Sequence, residues 1–269
     1  MRMLSRRQLL RIGNNLCILP IALLLSPQAT SAQALKPTNT QTQPTRRMIA
    51  LVFGQSNAAN FGEGRRKSRA GVFYFFRGRF GRARDPLPGA NGIGGSVWTR
   101  LGDQLIVAKL FTQVIFVPAA IGATEIALWA PGGLLHEDLL RNIRETLQAG
   151  HRFTHLFWHQ GESDAVLKID PADYQLRFKG MLAAIRALGV DAPIFVAQAT
   201  RCGDYLPNED IRWAQHNLVD PAQSIFAGPD TDSLDNTWRH DGCHFSNRGL
   251  KRHATMWLDV IRKYQASKQ

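Results

Sequence analysis

The chain has 269 residues, 44% hydrophobic and 20% charged, enough for a sizeable core and the length of a single α/β domain with extensions. Its formal charge of +12 becomes +8 once Arg2, Arg6, Arg7 and Arg11 are set aside, which suits an anionic partner or a solvated basic surface. Of three cysteines, only Cys202 and Cys243 lie beyond residue 32, so at most one disulfide can form in the remaining chain.

Residues 1–32 read as an export signal. Arg6-Arg7 heads the segment, an apolar run from Leu16 to Leu25 follows, and Ala29-Thr30-Ser31-Ala32 gives a small-residue exit. The paired arginines resemble a twin-arginine signal, and Cys17 lacks the context of a lipid-anchored site. The expectation is a periplasmic or secreted protein with no stable membrane insertion once the signal is removed. Residues 33–45, rich in Pro, Thr, Gln and Asn, read as a disordered linker. Residues 46–269 then form one domain.

That domain opens with the apolar run Met48 to Phe53, a buried parallel-type strand, followed by Gly54-Gln55-Ser56-Asn57. Next comes a basic stretch, Arg65-Arg66-Lys67, Arg69, Arg77, Arg79, Arg82 and Arg84, interleaved with Phe73 to Phe76 and Phe80. Single-stranded nucleic acid could use such a mixture, but an exported protein seldom meets it, and no nucleic-acid partner is expected. Gly78 to Gly95 reads as a long insertion of the kind that shapes substrate sites.

Further short runs at 112–118, 154–159, 193–198 and 224–227 read as strands. Helical patterns occupy 98–110, 134–149, 171–188, 209–218 and about 247–264. Asp170-Pro171 is a helix start, and Gly150 and Gly189 close two helices. Strands alternating with helices predict a three-layer α/β/α sandwich around a mainly parallel five-stranded sheet. Ligands of such sheets bind outside the carboxyl ends of the strands, and the chemically capable residues fall there. Ser56 offers a nucleophile at the first strand end, and Gly122 an open backbone N–H at the second. Gln160 and Glu162 offer an amide and a carboxylate at the third. Asp241 lies three residues before His244, close enough to bond Nδ1 and leave Nε2 as a general base. His151, His155 and His159 repeat every four residues, but on one strand neighbours would stand about 13 Å apart, too far for one ion. No metal or other cofactor is expected.

Gly54-Gln55-Ser56-Asn57, the block Ile121-Gly122-Ala123-Thr124-Glu125-Ile126 with Trp129, Trp158-His159-Gln160-Gly161-Glu162 and Asp241-x-x-His244 stand in this order. Together they resemble the SGNH (GDSL-type) hydrolases, most closely the sialate O-acetylesterase-like group that includes carbohydrate esterase family 6. The resemblance implies a nucleophile Ser56, a base His244 and an oxyanion hole of Ser56 N–H, Gly122 N–H and the Gln160 side chain. It implies Asp241, with Glu162 as substitute or partner, for the acid of the triad. Asn57 and Trp129 become substrate-binding candidates, Trp129 as a stacking platform or else as packing. A Cys202–Cys243 disulfide would tie a neighbouring loop to the His244 loop; two free thiols are the alternative.

The implied activity is hydrolysis of O-acetyl esters on a carbohydrate or polysaccharide through an acyl-enzyme. A lipase or thioesterase, an acetyltransferase and a polysaccharide-binding or assembly protein are the alternatives on the same scaffold. The sequence leaves the sugar and the oligomeric state open.

Overall fold

The computed structural model describes residues 46–268 apart from Ala70 and Tyr205. The signal and linker expected at 1–32 and 33–45 lie outside the described residues.

The first strand, β1 (Arg47–Gly54), is buried along all but its first residue and alternates strictly between two cores. Met48, Ala50 and Val52 enter one, Ile49, Leu51 and Phe53 the other. This double burial is why its sequence is continuously apolar. The other elements are β2 (Val72–Phe76), β3 (Arg79–Arg82), α1 (Val97–Val107), β4 (Gln113–Ala120), α2 (His136–Gln148), β5 (His155–His159), α3 (Glu162–Leu167), α4 (Pro171–Ala187), β6 (Ile194–Gln198), α5 (Glu209–Asn217), β7 (Ile225–Asp230) and α6 (Asn247–Ala266). The strands form one sheet in the order β3-β2-β4-β1-β5-β6-β7. All pairings are parallel except β2 with β3. One core lies under α1 and α6, and the other under α2, α4 and α5, completing the α/β/α sandwich.

The sheet has seven strands rather than five. The five expected strands are β1, β4, β5, β6 and β7; β2 and β3 come from the basic-aromatic stretch. Arg77 and Gly78 both take positive φ, the signature of a tight hairpin turn that twists with its strands. The arginines of β3 are exposed on the sheet edge, where charge discourages further strand pairing.

Helix starts follow the local chemistry. Asp170 accepts from the N–H groups of Ala172 and Asp173 at 2.8 and 3.1 Å ahead of Pro171, and Ser96 and Asn208 cap α1 and α5. No helix among the described residues is long and apolar enough to cross a membrane.

Candidate active site

β1 ends on Gly54 at φ +128°, where a Cβ would stand 2.1 Å from the His159 carbonyl oxygen. Glycine is therefore required for β1 and β5 to remain side by side as the chain turns. The next residues form a single 3₁₀ turn, Ser56–Ala58, fastened by Gln55 N–H to His159 O at 3.0 Å. The Gln55 side chain accepts from Ser163 N–H at 3.1 Å, so the Ser56 turn is tied to the start of α3.

An open cleft of about 490 Å³ then gathers Ser56, Phe61, Gly122, Glu162, Cys243 and His244, with Val166 and Leu167 at its margin. Gly122 is needed for close approach. A Cβ there would lie 2.8 Å from the Phe61 ring and 3.3 Å from Ser56 Cβ. Phe61 in turn stacks on the His244 imidazole, ring centres 5.1 Å apart. The imidazole Nδ1 meets Asp241 Oδ2 at 2.6 Å, while Asp241 Oδ1 accepts the backbone N–H groups of His244 at 2.7 Å and Cys243 at 3.0 Å. Burial alone would raise the Asp241 carboxyl. The hydrogen bonds from the His244 ring and the two backbone N–H groups outweigh it and hold the group down at about 2. An ionised Asp241 fixes the His244 tautomer with its proton on Nδ1 and leaves Nε2 as an acceptor.

Glu162 occupies the opposite kind of environment. It is 2% exposed, and burial pushes its carboxyl up to about 7 despite a 2.8 Å hydrogen bond from Asn57 Nδ2. It stands 3.7 Å from His159 Nε2, an imidazole whose protonation burial strongly disfavours. Glu162 bonds Asn57, and it is Asp241 that bonds His244. Asn57 also donates to Cys243 O at 3.3 Å, an oxygen that Arg239 Nη1 contacts as well. A buried chain of polar groups thus joins the residue after Ser56 to the residue before His244. Asn57 is spent on this connection and is turned away from the cleft. Cys202 and Cys243 are joined in a disulfide that crosses the same margin.

Two expected roles are corrected by burial. Gln160 is fully buried, and its Nε2 is committed to Thr124 O at 2.9 Å and to Asp164. Its amide therefore points into the protein and supplies no donor to the cleft. Trp129 is 2% exposed, its indole N–H donates to Thr124 Oγ1 at 3.1 Å, and its ring packs edge-on against Trp158. It is core, with no free face for a sugar.

Asn91 is the residue the sequence reading missed. Its Oδ1 accepts the Gly122 N–H at 2.8 Å, and its backbone is pinned by Asn91 N–H to Ala120 O at 3.0 Å and Asn60 N–H to Asn91 O at 2.9 Å. The only local hint was an Asn-Gly in a glycine-rich loop, which normally means a turn. Among the described residues, His240, Asp241 and His244 are the His/Asp group whose donor atoms lie within 4.8 Å of one another. Both Asp241 oxygens already accept N–H groups there, so the set is built as a hydrogen-bonded pair rather than as a metal centre. His155 lies among Phe111, Phe157 and Phe195, away from the cleft.

A family model described as carbohydrate esterase, sialic acid-specific acetylesterase, matches residues 46–262. No curated protein matches the chain. Among solved structures, a protein from Arabidopsis thaliana is similar over 82% of this chain and 100% of its own, with 18% identity and a TM-score of 0.66. NanS is similar over 83% of this chain and 99% of its own, with 18% identity and a TM-score of 0.58. A carbohydrate acetylesterase from Xanthomonas citri is similar over 80% of this chain but 56% of its own, with 17% identity and a TM-score of 0.53. These likenesses establish a shared fold, and the family match covers nearly all the described residues. The chain belongs to the carbohydrate esterase family of sialic acid-specific acetylesterases and is a carboxylic ester hydrolase.

Proposed function

We infer that this chain removes O-acetyl groups from a carbohydrate or polysaccharide through a Ser56 acyl-enzyme, and that it does so after export. The observation that carries the reading is the 2.6 Å bond between Asp241 and His244 at the back of the cleft that holds Ser56. His244 Nε2 takes the Ser56 proton as Oγ attacks the ester carbonyl, and then returns it to the departing sugar hydroxyl. Water, activated by the same nitrogen, releases acetate and restores Ser56.

The Ser56 and Gly122 N–H groups supply two oxyanion donors. For the second to act, the developing oxyanion displaces Asn91 Oδ1 from Gly122. Rotation of the Asn91 carboxamide then presents Nδ2 as a third donor in place of Gln160. Glu162, raised by burial to about 7 and bonded to Asn57, positions the Ser56 turn and leaves the acid role to Asp241. Support for export comes from the basic, apolar and small-residue segments of residues 1–32 together with the Cys202–Cys243 bond.

A fluorophosphonate probe with the adduct located by mass spectrometry, alongside turnover of p-nitrophenyl acetate, tests the chemistry. Labelling of wild type at Ser56, absent in Ser56→Ala, is the expected result. A folded protein with neither adduct nor turnover would overturn it.

A further inference from the structure

A second concavity, of about 780 Å³, opens beside the cleft between the 61–69 segment and the β2–β3 hairpin. Its walls carry Arg65, Arg66, Lys67, Arg82 and Arg84, all exposed, and Tyr74 contributes to its floor. The one carboxylate in the groove, Asp85, is buried and paired with Arg100 at 3.3 Å. Of the five cations, only Arg66 has a carboxylate partner among the described residues, Asp103 at 2.6 Å. Four unpaired positive charges on one concave surface raise the local concentration of anions.

The groove is held rigidly. Lys67 and Arg84 form an antiparallel bridge, Asp85 N–H donates to Arg66 O at 2.8 Å, and Arg66 N–H donates to Asp85 Oδ2 at 2.9 Å. Gly81 has no side chain because a Cβ there would lie 2.9 Å from the Tyr74 ring, so the ring lies flat along β3.

Both walls also run on into the Ser56 cleft. Six residues before Lys67, Phe61 stacks on His244; seven residues after Arg84, Asn91 holds the Gly122 N–H. Asn60 ties the two segments at the junction, accepting from Leu87 N–H at 2.8 Å and donating to Ala90 O at 2.8 Å.

We propose that this groove is a docking site for an anionic, carboxylate-bearing polysaccharide whose acetylated residues are delivered along it to Ser56. The proposal rests on the esterase reading for its outcome, but the groove itself stands on charge and shape. A concave surface suits a polymer chain better than a bilayer. A single aromatic ring set beside arginines suits sugars, whereas single-stranded nucleic acid stacks successive bases on several rings. At about 780 Å³ the groove lies within the range of roughly 300–1,000 Å³ typical of ligand sites.

The test uses Ser56→Ala, which cannot consume its ligand, in affinity electrophoresis through polygalacturonate and through neutral dextran. Retardation by polygalacturonate alone is expected, weakening at about 0.5 M NaCl as screening shortens the reach of the charges. Adding Arg82→Glu and Arg84→Glu should weaken it by about tenfold, and Lys67→Glu on the opposite wall should act in the same direction. In the active enzyme the same reversals should lower kcat/KM on acetylated pectin relative to p-nitrophenyl acetate. Equal retardation by dextran, indifference to both sets of reversals in folded protein, or tighter binding to phosphatidylglycerol vesicles or single-stranded DNA would overturn the proposal. Binding without any ester turnover would sink the esterase reading and leave the groove standing. Turnover of p-nitrophenyl acetate without binding would sink the groove alone.

Discussion

Asp241 and Glu162 are two carboxyl groups at one cleft whose surroundings drive them apart. Asp241 accepts three N–H groups at the surface, which hold its carboxyl down at about 2 and keep it ionised at neutral pH. Glu162 is enclosed and is raised by burial to about 7. Environments that separate two such groups also separate their roles. Asp241→Asn should leave the fold intact and lower kcat on the order of 10⁴-fold by inverting the His244 tautomer. Glu162→Gln keeps an oxygen for Asn57 and should lower kcat at pH 6 by less than about tenfold. Parallel kcat measurements on the two variants decide the assignment, and the reverse order would make Glu162 the acid. Asn91→Ala should cost roughly 10²–10³ in kcat with little change in Tm. Gln160→Ala should instead lower Tm, because it strips Asp164 and Thr124 O of a buried partner. The sequence pointed to the Asp241–His244 pair because Asp-x-x-His carries its geometry within four residues. It could not reveal Asn91, whose partner Gly122 lies 31 residues away and is reached only through the pairing of two loops.

At the level of elements, β1, β4, β5 and β6 were legible because they are buried along most of their length and so read as apolar runs. β7, an edge strand with two of its six residues buried, was legible from the short run at its start. β2 and β3 escaped because one lies next to the sheet edge and the other forms it, so arginine and phenylalanine mix along them without a clean period. α3 escaped because it is only six residues long and begins with the site's own polar residues. The functional elements join at Gly122, where the end of β4 passes over Ser56 and against Phe61. Gly122→Ala should therefore displace Phe61 from His244 or β4 from the Ser56 turn. The expected result is a loss of kcat/KM of at least about tenfold with a small change in Tm, since the strand itself is unaffected. Activity and Tm measured on the same preparation would show this, and a variant of wild-type activity would mean that the close approach of Gly122 to Phe61 and Ser56 is not needed for turnover. Reduction of the Cys202–Cys243 bond acts at the same scale, because it frees one anchor of the His244 loop while Arg239 and Asn57 still hold Cys243 O.

For the whole molecule, buried titratable groups tie stability to pH with opposing signs. The folded protein favours the neutral form of Glu162, so the stability linked to this group is fully present below its ordinary value of 4.5. It is lost as pH rises through about 7. Asp164, raised by burial to about 6, acts with the same sign. Asp241 has the opposite sign: its contribution is present above 3.8 and is lost as pH falls toward about 2. The imidazoles of His155, His159 and His253, held neutral by burial, oppose Glu162 and Asp164: their contribution is present above 6.5 and is lost as pH falls toward their depressed values. The Glu162 contribution is therefore read as a difference between the wild type and a variant that cannot ionise there. For Glu162 the shift from 4.5 to about 7 corresponds to on the order of 3 kcal/mol. In a domain of this size that group alone is worth about 5–10 °C in Tm between pH 5 and 8. Glu162→Gln, which cannot ionise, lacks this contribution, so its Tm should gain on that of the wild type by about that amount as pH rises across the range. Melting curves of both proteins at pH 5, 6, 7 and 8 would test it. A Glu162→Gln curve that runs parallel to the wild-type curve across that range would mean that Glu162 keeps one charge state throughout. The buried chain from Asn57 to Cys243 would then be a passive brace whose charge does not follow pH.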